Sequence, residues 1–491
     1  MRHVKNGASM PSQSQELCEA ARPKKRFCLP PIHPVLLGFC FIIAFRPSFL
    51  THMGSSVPLY RDGAFQCLFY LASITAFAGI AIASRRGLSL RDNKTLLVAS
   101  TAASTAGTVL ALYAAALNPA EPYVTALLLV GTLLVALGSG VLTLAWYERL
   151  SVLSIDHAML YYIASCFLAG IARTTFFYLE TGAPTAPNVC TCLLPILACG
   201  CLIGSNRSVE AAGFATGEQT ILRWSFPWQP VLLLGVFSLA MKTTFNLVDE
   251  EDKSLLFLAI VICYGILLAS ILLGFKRLPY TALRYIALPL MVAGMLGALN
   301  GPITAAGGLI ATRIACELLE AFIISLLFDL AFRYGVNSLW VFGLVLGARD
   351  ASRLAADLLA AGLPSSVFEA GGASAAISVL IILVIVAFMI LASEANFKGT
   401  WGIGETGKTA SPRSQEDDLS TLCAAAARLY ELTRREEEVL LMRLQGNSLE
   451  EVREELCVSP NTVKTHVRHI YSKLGATNLE EARQIVELPH R

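Results

Sequence analysis

The stretch GIGETGKT, from Gly402 to Thr409, has the glycine, lysine and hydroxyl spacing with which many proteins bind nucleotide phosphates. That chemistry requires a β-strand before the loop and a helix after it, because the helix N-terminus receives the phosphates. Gly402 comes directly after the last apolar segment, and Pro412 interrupts the polar run that follows Thr409. Neither element can form, so we predict a flexible linker, no enzymatic activity and no cofactor.

Charged side chains inside long apolar segments are a second group with possible chemistry. A charge at the bilayer centre costs roughly 3 kcal/mol, so such residues either pair with one another or serve a substrate. The cations among them are predicted to line a cavity for a small anionic ligand. The candidate ligand-binding residues are Arg46, Arg173, Lys242, Glu317, Glu320, Arg349 and Arg353.

The spacing of these charges also fits a structural role. Arg313, Glu317 and Glu320 recur at helical spacing and share one face. Because consecutive spans run antiparallel, the two glutamates would reach the depth of Arg349 in the next span. Ion pairs between these two helices are therefore the alternative to a ligand site. The next span carries its own set on one face: Arg349, Arg353 and Asp357, with Asp350 beside them.

Composition indicates the elements that must position these residues. The chain has 491 residues, of which 55% are hydrophobic and 15% charged, and its mean hydropathy is +0.60. These values are typical of an integral membrane protein. The predicted fold is all-α, with twelve transmembrane helices in two six-helix halves. The predicted spans start near Pro34, Ala64, Thr95, Val124, Ile155, Val189, Trp228, Ser254, Tyr285, Leu309, Leu339 and Ala375.

Basic residues predict the orientation of these spans, because cytoplasmic loops are enriched in lysine and arginine. The N-terminal tail, the loop after the second span and the loop after the eighth span are basic, and all three fall on one side. The opposite side carries the acidic run from Asp249 to Asp252. We therefore predict a multi-pass protein of the cell membrane with both termini in the cytoplasm.

The two halves share a short repeat. IAFRPSF, from Ile43 to Phe49, and LAMKTTF, from Leu239 to Phe245, place Arg46 and Lys242 at equivalent positions. With basic loops after the second and eighth spans, residues 34–393 resemble the major facilitator superfamily, and the resemblance implies a cavity between the halves. The loop SRRGLSLRDNK lacks the leading glycine and aspartate of the superfamily's loop motif, which weighs against active transport.

The C-terminal segment has the capping signals of short helices. Thr433 with Glu436 predicts a capping box, Ser459 followed by Pro460 predicts a helix start, and Gly475 predicts a helix end. Ser448 and Asn478 predict two further starts, and Gly446 a further end. In the third helix one face is apolar, with Val463, Val467, Ile470 and Leu474 at helical spacing. The opposite face is cationic and polar without acids, as a major-groove recognition helix requires.

The sequence from Leu432 to Ala482 resembles the LuxR-type helix-turn-helix, in LTRRE, the TVKTH of the third helix and the KLG that ends it. The resemblance implies that Lys464, Thr465 and Arg468 meet DNA base edges, and Asn461 is a further candidate DNA-binding residue. Thr462, His469 and Lys473 would contact the DNA backbone. The final helix, with Leu479, Ala482 and Val486, would form a homodimer on DNA. Arg453 departs from the family, which usually has a small residue there.

Metal sites and disulfides are not predicted. The 13 cysteines lie mostly in apolar runs, and the C-x-C spacing of Cys190 with Cys192 points the two thiols to different helix faces. His466 and His469 have no cysteine or acidic partner nearby, so they do not form a metal site.

Together these patterns predict a membrane-bound transcriptional regulator that senses a small ligand. Its partners would be double-stranded promoter DNA, the lipid bilayer and an unknown small molecule. A membrane transporter with a regulatory tail is the alternative. The predicted divisions are a cytoplasmic tail 1–33, a first half 34–204, a cytoplasmic loop 205–226, a second half 227–393, a linker 394–424 and a helix-turn-helix domain 425–491.

Overall fold

The computed structural model divides the chain into two compact units, Met1–Gly404 and Glu405–Arg491. Their boundary falls within the predicted linker. The structure describes residues 33–56, 63–91, 93–117, 121–182, 185–211, 228–247, 254–273, 280–299, 302–362, 372–391, 422–424, 426–444, 447, 449–456, 459–476 and 479–487. The phosphate-loop-like stretch, the acidic run Asp249–Asp252 and the signals at Gly446, Ser448 and Asn478 lie outside these residues.

The first unit is built from long helices. Its described residues form a short 3-10 turn at Pro34–Gly38 and twelve α-helices. Most begin within five residues of a predicted start, whereas the helix predicted from Leu309 begins at Pro302. The all-α prediction is confirmed. The helices are α1 Phe39–Ser56, α2 Ala64–Ser84, α3 Lys94–Ala115, α4 Pro122–Leu150, α5 Ile155–Gly182, α6 Thr185–Ala211, α7 Trp228–Leu247, α8 Ser254–Leu272, α9 Tyr280–Leu299, α10 Pro302–Tyr334, α11 Ser338–Gly362 and α12 Gly372–Leu391.

Seven of the described helices, α2 to α6, α8 and α12, are long and apolar enough to cross a bilayer, and shorter apolar helices lie at Pro34–Leu50 and Leu283–Leu299. The helices that do not qualify by these measures include α7, α10 and α11, which carry Lys242, Glu317 and Asp350 among their charged residues. The same charges that make these three helices less apolar are those predicted to meet inside the protein.

Two helix pairs at equivalent places in the halves approach closely through glycine. A Cβ atom on Gly107 of α3 would lie 2.7 Å from the carbonyl oxygen of Gly131 in α4. A Cβ on Gly308 of α10 would lie 2.4 Å from the amide nitrogen of Ala298 in α9. In a membrane, small residues permit backbone contact and so supply the van der Waals packing that holds helices together.

Contacts between the halves run mainly along α2 with α11 and α5 with α8. At one end of the unit they include side chains at the start of α11. Asn337 donates a hydrogen bond of 3.0 Å to the carbonyl oxygen of Ser84, and the Arg85 guanidinium lies 4.6 Å from the ring centroid of Trp340. The adjoining loop is held by Glu148 of α4, whose carboxylate accepts bonds of 3.0 and 2.9 Å from the amides of Leu90 and Arg91.

The second unit forms a small helical domain with its own core. Its elements are α13 Arg434–Leu444, α14 Leu449–Leu456, α15 Pro460–Leu474 and α16 Leu479–Glu487. The predicted caps are confirmed where the structure describes them. The amide of Thr433 donates to Glu436 at 2.8 Å, Ser459 accepts from the amide of Thr462 at 3.2 Å, and Gly475 ends α15 with a left-handed φ of 72°.

We expect Gly308→Ala to destabilise the membrane unit and Gly307→Ala to leave it unchanged. The added methyl group at Gly308 meets backbone atoms of Ala298 and Gly294, whereas at Gly307 no atom lies within 4 Å. Overpacking of this kind costs about 1–3 kcal/mol. Thermal unfolding of both variants in the same detergent measures the difference, and equal midpoints would show that α9 and α10 can separate at little cost.

Candidate ligand cavity and DNA-binding face

A cavity of about 1090 Å³ lies in the membrane unit between the halves, lined by residues of α1, α2, α4, α5, α7, α8, α10 and α11. Its size suits a small organic ligand. The structure brings all of the predicted ligand-binding candidates to its wall: Arg46, Arg173, Lys242, Glu317, Glu320, Arg349 and Arg353.

Arg46 of α1 is held by an acidic residue of α11. One of its guanidinium nitrogens lies 2.9 Å from Asp350 and donates a bond of 2.7 Å to the hydroxyl of Ser73. The rings of Phe69 and Phe77 lie 5.3 and 5.2 Å from the guanidinium carbon. A cation between aromatic rings and a carboxylate is stabilised without water.

The pairing expected between α10 and α11 is present for Glu320, whereas Glu317 pairs with Arg313 of its own helix. Arg349 forms an ion pair with Glu320, and its Nε lies 3.2 Å from Asp350. Arg353, one turn further along α11, is 3.9 Å from both Glu320 and Asp350. Three arginines, counting Arg46, thus share two carboxylates.

Lys242 of α7, the repeat equivalent of Arg46, pairs with the second acidic residue of α11. Its ammonium lies 3.1 Å from Asp357 and donates a bond of 3.2 Å to the side-chain oxygen of Gln66. Asn246, one turn along α7, donates to the same carboxylate at 2.9 Å. The two cations of the repeat, Arg46 and Lys242, therefore both pair with acidic residues of α11.

The remaining charges of the cavity lie on α5 and α10. Arg313 forms an ion pair with Glu317, and the hydroxyl of Tyr264 donates a 2.7 Å bond to the same glutamate. Arg173 of α5 lies with its guanidinium carbon 4.8 Å from the ring centroid of Phe257.

One end of the cavity is closed by aromatic side chains. Phe39, Tyr147 and Tyr162 line this end and are buried, and Phe328 and Phe342 lie behind them. Tyr147 stacks on Phe342 with ring centroids 4.6 Å apart and meets Phe39 edge-on at 5.1 Å. We call these five residues the aromatic floor.

The opposite end of the cavity is less buried. It is lined by Leu50, Gln66, Phe177, Phe245 and Leu256, each of which retains intermediate exposure. These residues lie near the end of α1, the start of α2, the end of α5, the end of α7 and the start of α8. The lining residues at this end are therefore more exposed than those of the aromatic floor.

Several residues that contact the charged groups of the cavity are not among the sequence predictions. Ser73, Gln66, Asn246 and Tyr264 are uncharged and contact the charged groups directly, and Phe257 supplies the ring beneath Arg173. The sequence feature that could have identified them is the presence of polar residues, such as Gln66 and Asn246, within apolar segments. Single uncharged residues of this kind occur in many spans, so the signal is weak without a fold.

In the second unit, α15 separates an apolar face from a polar face as predicted. Val463, Ile470 and Leu474 are buried in the core, and Val467 is partly buried against it. The candidate base-contacting residues Lys464, Thr465 and Arg468 are exposed, as is the candidate DNA-binding residue Asn461, and Thr462 has intermediate exposure. Their side chains are free to meet a DNA groove.

The structure gives Lys473 and His469 partners inside the domain. The Lys473 ammonium donates a bond of 2.8 Å to Glu436 and another of 2.9 Å to the carbonyl oxygen of Glu431. His469 lies 3.8 Å from Glu436. Lys473 thus helps to attach the end of α15 to α13. Contact of Lys473 and His469 with the DNA backbone stays a prediction.

The expectation that Ala482 and Val486 form a dimer surface is corrected by their burial. Both are fully buried in the core of the domain, and Leu479 packs against that core. The amphipathic pattern of α16 arises because its apolar face packs on α13 and α15. Other residues of α16 would have to form any contact between two copies.

Comparison with known proteins identifies the second unit. Residues 430–486 match the family model described as bacterial regulatory proteins, luxR family. The HTH-type transcriptional regulator MalT of Vibrio cholerae serotype O1 is 45% identical over 56 residues, which is 11% of this chain and only 6% of that protein. The chain therefore carries a LuxR-family helix-turn-helix domain at its C-terminus, a domain that implies DNA binding.

The membrane unit has the fold of solved transporters. The human organic anion transporter MFSD10 aligns with a TM-score of 0.51 and 13% identity, over 73% of this chain and 96% of that chain. A bacterial homologue of the iron transporter ferroportin, in an outward-facing state, aligns with a TM-score of 0.53 and 11% identity, over 73% and 98%. At these identities the likeness shows the fold of a multi-pass membrane protein.

Lys242→Gln and Asp357→Asn should each destabilise the membrane unit, and the double variant should recover most of the loss. Removing one partner of a buried pair leaves an uncompensated charge and costs roughly 3 kcal/mol, whereas removing both does not. The two side chains are 19% and 7% exposed. Thermal unfolding in detergent measures all three variants. Additive losses in the double variant would show that the two residues do not stabilise each other.

Low pH should lower the unfolding free energy of the second unit, because it protonates the carboxylate of Glu436. Burial raises the pKa of this carboxyl, but hydrogen bonds from Lys473 and Thr433 outweigh the effect and lower the pKa from 4.5 to about 2. Its stabilising contribution is complete above pH 4.5 and is lost as the pH falls to about 2.

Urea unfolding of the fragment Glu405–Arg491, followed by circular dichroism, measures this contribution. Glu436→Gln should lower the unfolding free energy at neutral pH and flatten its decline below pH 4.5. Glu438→Gln is the matched control, because Glu438 is 37% exposed and pairs with Arg435 on the surface. Equal pH dependence in the two variants would contradict the assignment.

Proposed function

We propose that the protein is a membrane-bound, one-component transcriptional regulator. Its membrane unit binds a small ligand in the cavity between the halves, and its LuxR-family domain binds promoter DNA. The observation that carries this proposal is the presence, in one chain, of a DNA-binding domain with an exposed recognition face and a membrane unit with a charged, one-ended cavity.

The proposal requires the DNA-binding domain to face the cytoplasm. The distribution of lysine and arginine supports this, since the basic loop after α2 begins with Arg85 and Arg86 and lies at the same end of the unit as the start of α1. In that orientation the aromatic floor faces the cytoplasm and the open end of the cavity faces the other side of the membrane. The regulator would then respond to a solute outside the cytoplasm.

Signal transfer in this proposal depends on the contacts between the halves. A ligand changes the protein only by binding one arrangement of the halves more tightly than another. The contacts of Asn337 with Ser84 and of Arg85 with Trp340 join the halves at the floor end, so a relative movement of the halves changes them. Such a movement would alter whether the DNA-binding domains of two copies can pair on adjacent half-sites.

A transporter with a regulatory tail is the second candidate function, and the transporter fold of the membrane unit favours it. Transport requires the cavity to open at the aromatic floor as well. Uptake of labelled solute into vesicles that depends on Arg46 and Lys242 would support this function over the first.

DNA crosslinking in living cells followed by sequencing tests the proposed regulator. We expect discrete peaks for the wild type and their loss in the double variant Lys464→Ala, Arg468→Ala, because both cations lie on the exposed face of α15. Loss of two contacts of about 1–3 kcal/mol each would lower occupancy more than tenfold.

Arg434→Ala is the matched control, since it removes a cation whose side chain is 94% exposed on α13. This variant should retain the peaks. Peaks that survive in the double variant, or that disappear equally in the control, would contradict a recognition role for α15.

A further inference from the structure

Arg173 differs from the other cations of the cavity in its pairing. Arg46, Lys242, Arg313, Arg349 and Arg353 each lie within 4.0 Å of a carboxylate. Within the part of the chain that the structure describes, no carboxylate lies that close to Arg173. Its closest described partner is the ring of Phe257, 4.8 Å from the guanidinium carbon.

The nearest acid is occupied by other groups. Glu317 is bound by Arg313 and accepts the hydroxyl of Tyr264 at 2.7 Å, while Arg173 acts on it only electrostatically. A guanidinium without an anion is costly in a low-dielectric environment. Five cations of the cavity therefore have a carboxylate neighbour, and Arg173 has none among the described residues.

The charge of the cavity as a whole is positive. The three arginines Arg46, Arg349 and Arg353 share only Asp350 and Glu320, so that cluster carries one excess positive charge. Arg173 adds a second. Walls of low dielectric constant focus this potential into the cavity, which attracts anions and repels cations.

The surface beside Arg173 is apolar. Phe177 lies one turn along α5, and Leu256, Phe257 and Ile260 line the facing wall on α8. These side chains lie toward the less buried end of the cavity, so an entering ligand meets them before it reaches the paired charges. An acid group beside an apolar body matches this arrangement.

We propose that Arg173 binds the acid group of an amphipathic organic anion whose apolar body packs on Phe177, Phe257 and Ile260. The proposal rests on the proposed function, because it names the class of ligand that the membrane unit would sense. A carboxylate or a phosphate ester supplies the same chemistry: two oxygens that accept from the planar guanidinium fork. The ion pairs of α11 then have a structural role, and Arg173 is the cation that selects the ligand.

Equilibrium dialysis of labelled benzoate against the full-length protein in lipid nanodiscs tests the proposal. We expect saturable binding of one benzoate per chain with Kd at or below about 1 mM. Phenyl phosphate should compete, whereas benzamide, which has the same ring without the charge, should not. Inorganic phosphate, an anion without an apolar body, should compete at least about tenfold more weakly than phenyl phosphate.

Arg173→Gln should weaken benzoate binding about 10- to 100-fold, the loss expected for a charge-assisted hydrogen bond. Arg173→Lys keeps the charge but not the fork, so its affinity should fall between the two, and it provides a second variant if the first does not fold. Arg434→Gln, on the exposed surface of α13, is the control for removal of one cation and should bind as the wild type does.

Three results would overturn the proposal: no benzoate binding at the stated affinity, equal binding by Arg173→Gln and the control, or equal competition by benzamide. These outcomes do not involve DNA. If promoter crosslinking succeeds while benzoate fails, the regulator function stands and the ligand class is wrong. If benzoate binds through Arg173 and crosslinking fails, the ligand site stands and the regulator function is wrong.

Discussion

The pairing of buried charges on α11 is the interaction on which the membrane unit depends. Asp350 of this helix holds Arg46 of α1, Asp357 holds Lys242 of α7, and Arg349 holds Glu320 of α10. Each of these groups is too costly to leave unpaired in an apolar environment. The rotation and depth of α11 are therefore constrained by three neighbours at once, and they in turn fix the wall of the cavity.

This constraint explains both what the sequence predicts and what it does not. Helix starts follow from apolar length and from the proline and glycine residues between spans, and the pairing of Glu320 with Arg349 follows from antiparallel neighbours and helical spacing. The pairing of Arg46 with Asp350 joins residues 304 positions apart. Such a contact depends on how non-adjacent helices pack, which periodicity along one helix does not determine.

In the DNA-binding domain too, local features could be predicted from the sequence and contacts between helices could not. Capping residues and the apolar face of α15 were predictable because they act within a few residues along the chain. The bond between Lys473 and Glu436 was not, since the two residues lie on different helices. The sequence alone predicts that Lys473 is one more cation facing DNA. In the fold its ammonium pairs with Glu436, an acid buried at the joint between two helices, so a cation that the sequence assigns only to DNA stabilises the domain.

In the proposed regulator, the aromatic floor determines what property of its ligand the membrane unit would report. Among the described residues, five buried rings close one end of the cavity, so the proposed ligand would enter and leave by the other end. Occupancy then reaches equilibrium with the solution at the open end, and its value depends on concentration and affinity alone. A through-going channel would instead report a flux, which depends on gradients and on supply at both sides. A cavity that opens at one end only would therefore report the concentration of its ligand.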